Sequence, residues 1–171
     1  AGFVTPAVRD AQSFAFGVTR LTLRLNGVSP NGENTTNTAG TAAADAEFQN
    51  NGTVNISFDT TVRNLQFSLF DIDLSQVVNV TALDPVGAPV LITMGITAAG
   101  IVTVAGSGTA SATATANATA AGNTDNRGNV NVTINGSALG IKSVSMTFSG
   151  TAGDSWLSDL NACVFGGFPL N

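Results

Sequence analysis

The stretch Val54-Asn55-Ile56-Ser57-Phe58 alternates apolar and polar residues without a break, and that period of two decides the fold. Successive side chains of a strand point to opposite faces, so Val54, Ile56 and Phe58 share a buried face while Asn55 and Ser57 face out. The pattern recurs outward in both directions. Leu65, Phe67 and Leu69 continue it, followed by Val78, Val80 and Ala82, Val90-Leu91-Ile92, and Ile101-Val102-Thr103-Val104. Beyond a Gly/Asn turn come Val130, Val132 and Ile134, then Val144, Met146 and Phe148, and a last strand between Trp156 and Phe165. Towards the start, Phe14 to Leu25 reads as one long strand with a phase change of the bulge kind near Gly17, and Asn26 to Gly40 is rich in turn residues. About ten short strands at this spacing predict an all-β fold, a jelly-roll-like antiparallel β-sandwich. No stretch carries a 3.6-residue period over a helical length.

The 171 residues fit one domain, with residues 14–171 as the sandwich and 1–13 as a leader. Pro6 blocks a ladder bond in that leader, which is either mobile or an arm adding a strand to a neighbouring subunit. Ala1-Gly2-Phe3 carries no signal peptide, the expectation for a mature or excised domain.

Only 10% of the residues are charged, and mean hydropathy is +0.26. The net charge of -5, with the six basic residues scattered, argues against nucleic acid, whose binding needs a basic stripe. The same charge disfavours an anionic membrane, and no apolar run has the roughly 20 residues that span a bilayer. Scarce charge with abundant Thr and Asn suits an extracellular or cell-surface protein. Seven Asn-x-Ser/Thr sequons are glycan acceptors only in a source that glycosylates its secreted proteins.

The absence of histidine removes Ser-His triads and most catalytic zinc sites. The lone Cys163 lacks an activating partner and reads as a small buried hydrophobe of the final strand, with an intermolecular bridge as the alternative. Asp71 and Asp73 lie two residues apart on one face of a strand, not across a cleft as a glycosidase pair is set, and Trp156 is the sole tryptophan for a sugar platform. The chain therefore reads as non-catalytic.

Asp71 and Asp73 continue the phase of Leu65, Phe67 and Leu69, which places two carboxylates on one face of a strand. Charges there need partners or a cation, and an oxygen-only set with Asp159 as third ligand suits a structural Ca2+. Asp154 is a further candidate. The alternative is that the chain leaves the core at Phe70 and both aspartates are solvated turn residues.

Thr109 to Thr119 alternates Thr, Ser or Asn with alanine, so one strand face is a row of hydroxyl and amide groups. Such rows order water on ice-binding surfaces. Ice recognition needs a flat array of several such strands, and the sequence displays one, which favours a surface strand or a low-complexity loop.

Asn64-Leu65-Gln66-Phe67-Ser68-Leu69-Phe70-Asp71-Ile72-Asp73 with Val78-Asn79-Val80-Thr81-Ala82 resembles a motif of large secreted bacterial surface proteins of the gliding-bacteria type. Asp125-Asn126-Arg127-Gly128-Asn129-Val130, Trp156-Leu157-Ser158-Asp159-Leu160 and the terminal Gly166-Gly167-Phe168-Pro169-Leu170-Asn171 are similar to the same family. The likeness spans roughly residues 53–171, while residues 1–50 match nothing in it. It departs from the family in the short spacer between Asp73 and Val78, where a longer acidic loop is usual. It implies a jelly-roll-like adhesin module. Two functions follow: a structural or adhesive unit of a surface fibre or adhesin array, contacting itself or neighbouring subunits, or a module binding glycans or another small ligand.

Overall fold

The computed structural model describes residues 12–16, 19–26, 29–34, 45–49, 52–121, 125–150, 154–157 and 160–164. Thirteen strands are present among these residues, against the expectation of about ten. They are β1 Gln12–Phe16, β2 Thr19–Asn26, β3 Ser29–Asn34, β4 Asp45–Gln49 and β5 Gly52–Phe70. Then come β6 Val77–Leu83, β7 Thr93–Ile96, β8 Val102–Ala105, β9 Ser111–Ala116, β10 Val130–Ile134, β11 Ile141–Ser149, β12 Asp154–Leu157 and β13 Asn161–Val164. Every pairing between them is antiparallel, and the described residues hold no α-helix. The one helical turn among the described residues is a 3-10 turn over Asn126–Gly128.

The 19-residue β5 organises the sheet. Its first half pairs with β2 on one side and β11 on the other, and from β11 the ladder continues through β6 and β9 to β8. Its second half pairs with β10, which carries β7, and with β12 and β13; β12 leads on to β4 and β3. The β3-β4-β12-β5-β11-β6-β9-β8 path holds eight strands. The two groups meet again where Ile92 N–H donates to Thr109 O and Gly108 N–H to Ile92 O, each at 2.7 Å, so the sheet nearly closes into a barrel.

Two segments that read as separate strands are therefore one. The join is legible in burial: Val54, Ile56 and Phe58 are buried at even positions, Leu65, Phe67 and Leu69 at odd ones. An extra residue must intervene, and Asn64, with a left-handed φ of 52°, is the residue that takes it up. Asn tolerates that conformation better than any β-branched residue of the strand would. Both groups of strands press these apolar faces into one core with Val80, Ile92, Val132, Ile134, Met146 and Phe148.

Other sequence readings also change. Phe14 to Leu25 is not one strand: β1 and β2 form an antiparallel hairpin, with Gly17 outside the described residues. The turn-rich stretch contains β3, and Trp156 to Phe165 divides into β12 and β13. Cys163 is exposed rather than buried. Residues 1–11, most of the proposed leader, lie outside the described residues.

Candidate functional site

Asp71 and Asp73 do not lie on a strand. β5 ends at Phe70, and Asp71 turns the chain with a left-handed φ of 60°. Leu74 and Ser75 follow at 46° and 66°, so three left-handed non-glycine residues fall within five positions. Each costs roughly 1–3 kcal/mol and persists only where the surroundings hold it. Here the holding bonds come from the segment after β9. Leu74 N–H donates to Thr119 O at 3.3 Å and Ser75 N–H to Asn117 O at 2.7 Å.

The expectation that both aspartates share one strand face is thus corrected, and the solvated-turn alternative fails as well for Asp73. Asp73 is only 4% exposed, and its Oδ2 accepts the Ala121 backbone N–H at 2.7 Å. Asp71 donates its backbone N–H to Asn129 Oδ1 at 3.2 Å, and Ile72 donates its own to Gly128 O at 2.8 Å. Gly128 sits so close that a Cβ there would stand 3.1 Å from Ala121 Cβ and 3.2 Å from Ile72 O. Three segments, 71–76, 117–121 and 125–129, are thereby stitched into one corner. Asp125 caps the turn of the last segment, accepting Arg127 N–H at 3.0 Å, and pairs with the Arg127 guanidinium. Through that side-chain hydrogen bond Arg127 holds the Asp125 carboxyl below its usual range, and Asp125 raises Arg127 in turn.

Asp159 lies outside the described residues, and the side chain of Asp154 is likewise not described. Among the described residues no three His, Cys, Asp or Glu side chains converge as a metal would require.

A second organised region escaped the sequence reading. Asp84, 5% exposed, accepts Val86 N–H at 3.1 Å, Ala88 N–H at 2.8 Å and the Ser137 hydroxyl at 3.1 Å. One buried carboxylate thus ties the β6–β7 connection to the β10–β11 turn. These two loops carry Val86, Leu91 and Leu139, and the end of β6 adds Leu83, together four of the five large hydrophobics exposed among the described residues. Beside them lies a depression of about 420 Å3 lined by Pro89 to Leu91, Thr93, Gly108 and Asn135 to Ser137. The Asp84-Pro85 pair and the turn signal of Gly87 were visible in the sequence; the partnership with Ser137, 53 residues away, was not.

The third region is the outer face of the β9-β6-β11-β5 ladder. Ala112, Ala114 and Ala116 of β9 face the core, so its hydroxyl row does face outward as expected. Register supplies the rest. Thr113 stands opposite Asn79, Asn79 opposite Thr147, and Thr147 opposite Thr53. One step along, Ser111, Thr81, Ser145 and Asn55 form a parallel row. The side chains also bond laterally: Asn79 Nδ2 donates to Ser111 Oγ and Thr113 Oγ1, each at 2.8 Å, and Thr53 and Thr147 hydroxyls meet at 3.3 Å.

No helix among the described residues is long and apolar enough to cross a membrane. The chain matches no family model, no curated protein and no solved structure.

Proposed function

We propose that the chain is a non-catalytic extracellular module, a structural or adhesive unit of a surface fibre or adhesin array, that joins copies of itself through the loop tip around Asp84. The observation that carries this reading is the apolar tip. Val86 is 74% and Leu91 64% exposed, on loops held by a buried carboxylate. Large exposed hydrophobics gathered on preorganised loops favour a protein contact, because ordering them costs little at the moment of binding. The resemblance of residues 53–171 to adhesin modules supports the same class. Against catalysis stand the lack of histidine and the engagement of Asp73 and Asp84 with backbone N–H groups. The finer fold, a jelly-roll-like sandwich, is supported by the division of β5 between two groups of strands. A structural Ca2+ at the corner of Asp71 and Asp73, with Asp159, belongs to the same proposal; its support is the burial of a carboxylate beside a second one.

A glycan-binding module is the second reading, favoured by the Thr93, Asn135 and Ser137 groups in the tip depression. No aromatic ring lines it to stack on a sugar. Negative-stain microscopy of the full chain tests the first reading. Filaments or ordered clusters are expected, and dispersed single particles at every concentration would oppose it.

A further inference from the structure

We propose that the outer face of the β9-β6-β11-β5 ladder binds ice, by offering water a two-dimensional array of hydroxyl and amide groups. This inference is independent of the loop tip. A single Thr row cannot template a crystal, but the register builds neighbouring rows beside it. Thr113, Asn79, Thr147 and Thr53 form one, and Ser111, Thr81, Ser145 and Asn55 the next. Thr115 extends the array towards Thr103 on β8, opposite which it lies. Groups repeat about 4.8 Å apart across strands and about 6.7 Å apart along them, which is the strand geometry itself. Within this stretch the registers of β6 with β9 and of β11 with β6 run without a shift.

The chemistry of the face points to neutral, ordered water over other occupants. Its outward positions from Ser111 to Thr115, Val77 to Leu83, Ser143 to Ser149 and Thr53 to Ser57 include no charged residue and no aromatic ring. An ice surface has no net charge and presents donors and acceptors at fixed spacing, so it matches in both respects. Within these four strands a charged polymer would find no counter-charge, Arg24 standing on the neighbouring β2 opposite Asn55; a sugar would find no stacking platform, and a protein little apolar area beyond Val77 and Leu83. Threonine adds a methyl beside each hydroxyl, which limits competing hydration. Lateral bonds such as Asn79 to Thr113 restrict the side chains before any contact is made. Lys142, whose Nζ donates to Asp59 O at 2.9 Å, marks the edge of the array.

Twist sets the strength. Adjacent strands rotate by roughly 20–25°, so about three strands can lie against a plane at once. The expected activity is therefore adsorption and inhibition of recrystallisation, with little depression of the freezing point. The test labels the full chain at the exposed Cys163 with a fluorophore and grows an ice hemisphere in the solution. The wild-type chain should enter the ice. T113K and T81K, each placing a charge within the array, should lower the ice-bound fraction at least fivefold, whereas Q66K on the other half of β5 should not. Circular dichroism verifies that each variant is folded. Exclusion of the folded wild type from ice, or uptake of T113K and T81K equal to it, overturns the proposal. So does a change from oligomer to monomer in T113K without ice uptake by the wild type, which would make the face a contact between copies.

Discussion

The buried carboxylate of Asp73 accepts the backbone N–H of Ala121, 48 residues further along the chain, at 2.7 Å. This bond fastens the end of β5 to the segment beyond β9, where the strained residues Asp71, Leu74 and Ser75 are held. Removing the acceptor leaves a part-buried donor unmet. Asp73→Ala is expected to cost about 2 kcal/mol and lower Tm by roughly 4–8 °C in thermal melts. Asp73→Asn keeps an acceptor and should lose less.

Calcium is expected to raise Tm of the wild-type chain, and Asp71→Ala should remove the rise. A hundredfold excess over Kd contributes about 2.7 kcal/mol. Identical melts in calcium and in excess chelator, with no calcium found by elemental analysis, would contradict the site.

Asn64→Val should destabilise by about 1–2 kcal/mol, since a β-branched residue cannot enter the left-handed region without strain. Asn64→Gly should be tolerated. Urea midpoints compare the two, and an Asn64→Val midpoint equal to wild type would mean that the phase of β5 is set elsewhere.

The Asp125 carboxyl is held below its usual range in the fold by Arg127. Its contribution is therefore present above the unfolded carboxylate pKa of about 4, and is lost as pH falls through the lower folded value. Arg127 is exposed and Asp125 only partly buried, so solvent screens the pair and the effect is small. The Tm difference between wild type and Asp125→Asn should be constant from about pH 5 to 7 and vanish in stronger acid. A difference that persists unchanged at low pH would show that charge is not its source.

The sequence was most legible where periodicity acts alone. Val54, Ile56 and Phe58 declare their faces because every second side chain must be buried, and the alternation of Ser111 to Ala116 does the same. It was least legible where the chain leaves the ladder. Period two carried through Phe70 would set Asp71 and Asp73 on one face, yet a single left-handed residue ends the strand, and no local pattern announces it. Asp84 and Ser137, like Thr113 and Thr147, depend on pairing between distant segments, which one sequence does not encode locally. Cys163 misled for a related reason: residue type suggested burial, but β13 turns that position outward.

The central claim, assembly through the apolar loop tip, is tested most directly by sedimentation of the full chain over a concentration series. The wild-type mass should climb above 17.2 kDa as concentration rises. The Leu91→Ser/Leu139→Ser variant, folded by circular dichroism, should stay at 17.2 kDa. A wild-type chain that remains monomeric to its highest soluble concentration, or a variant that associates equally, would contradict the account.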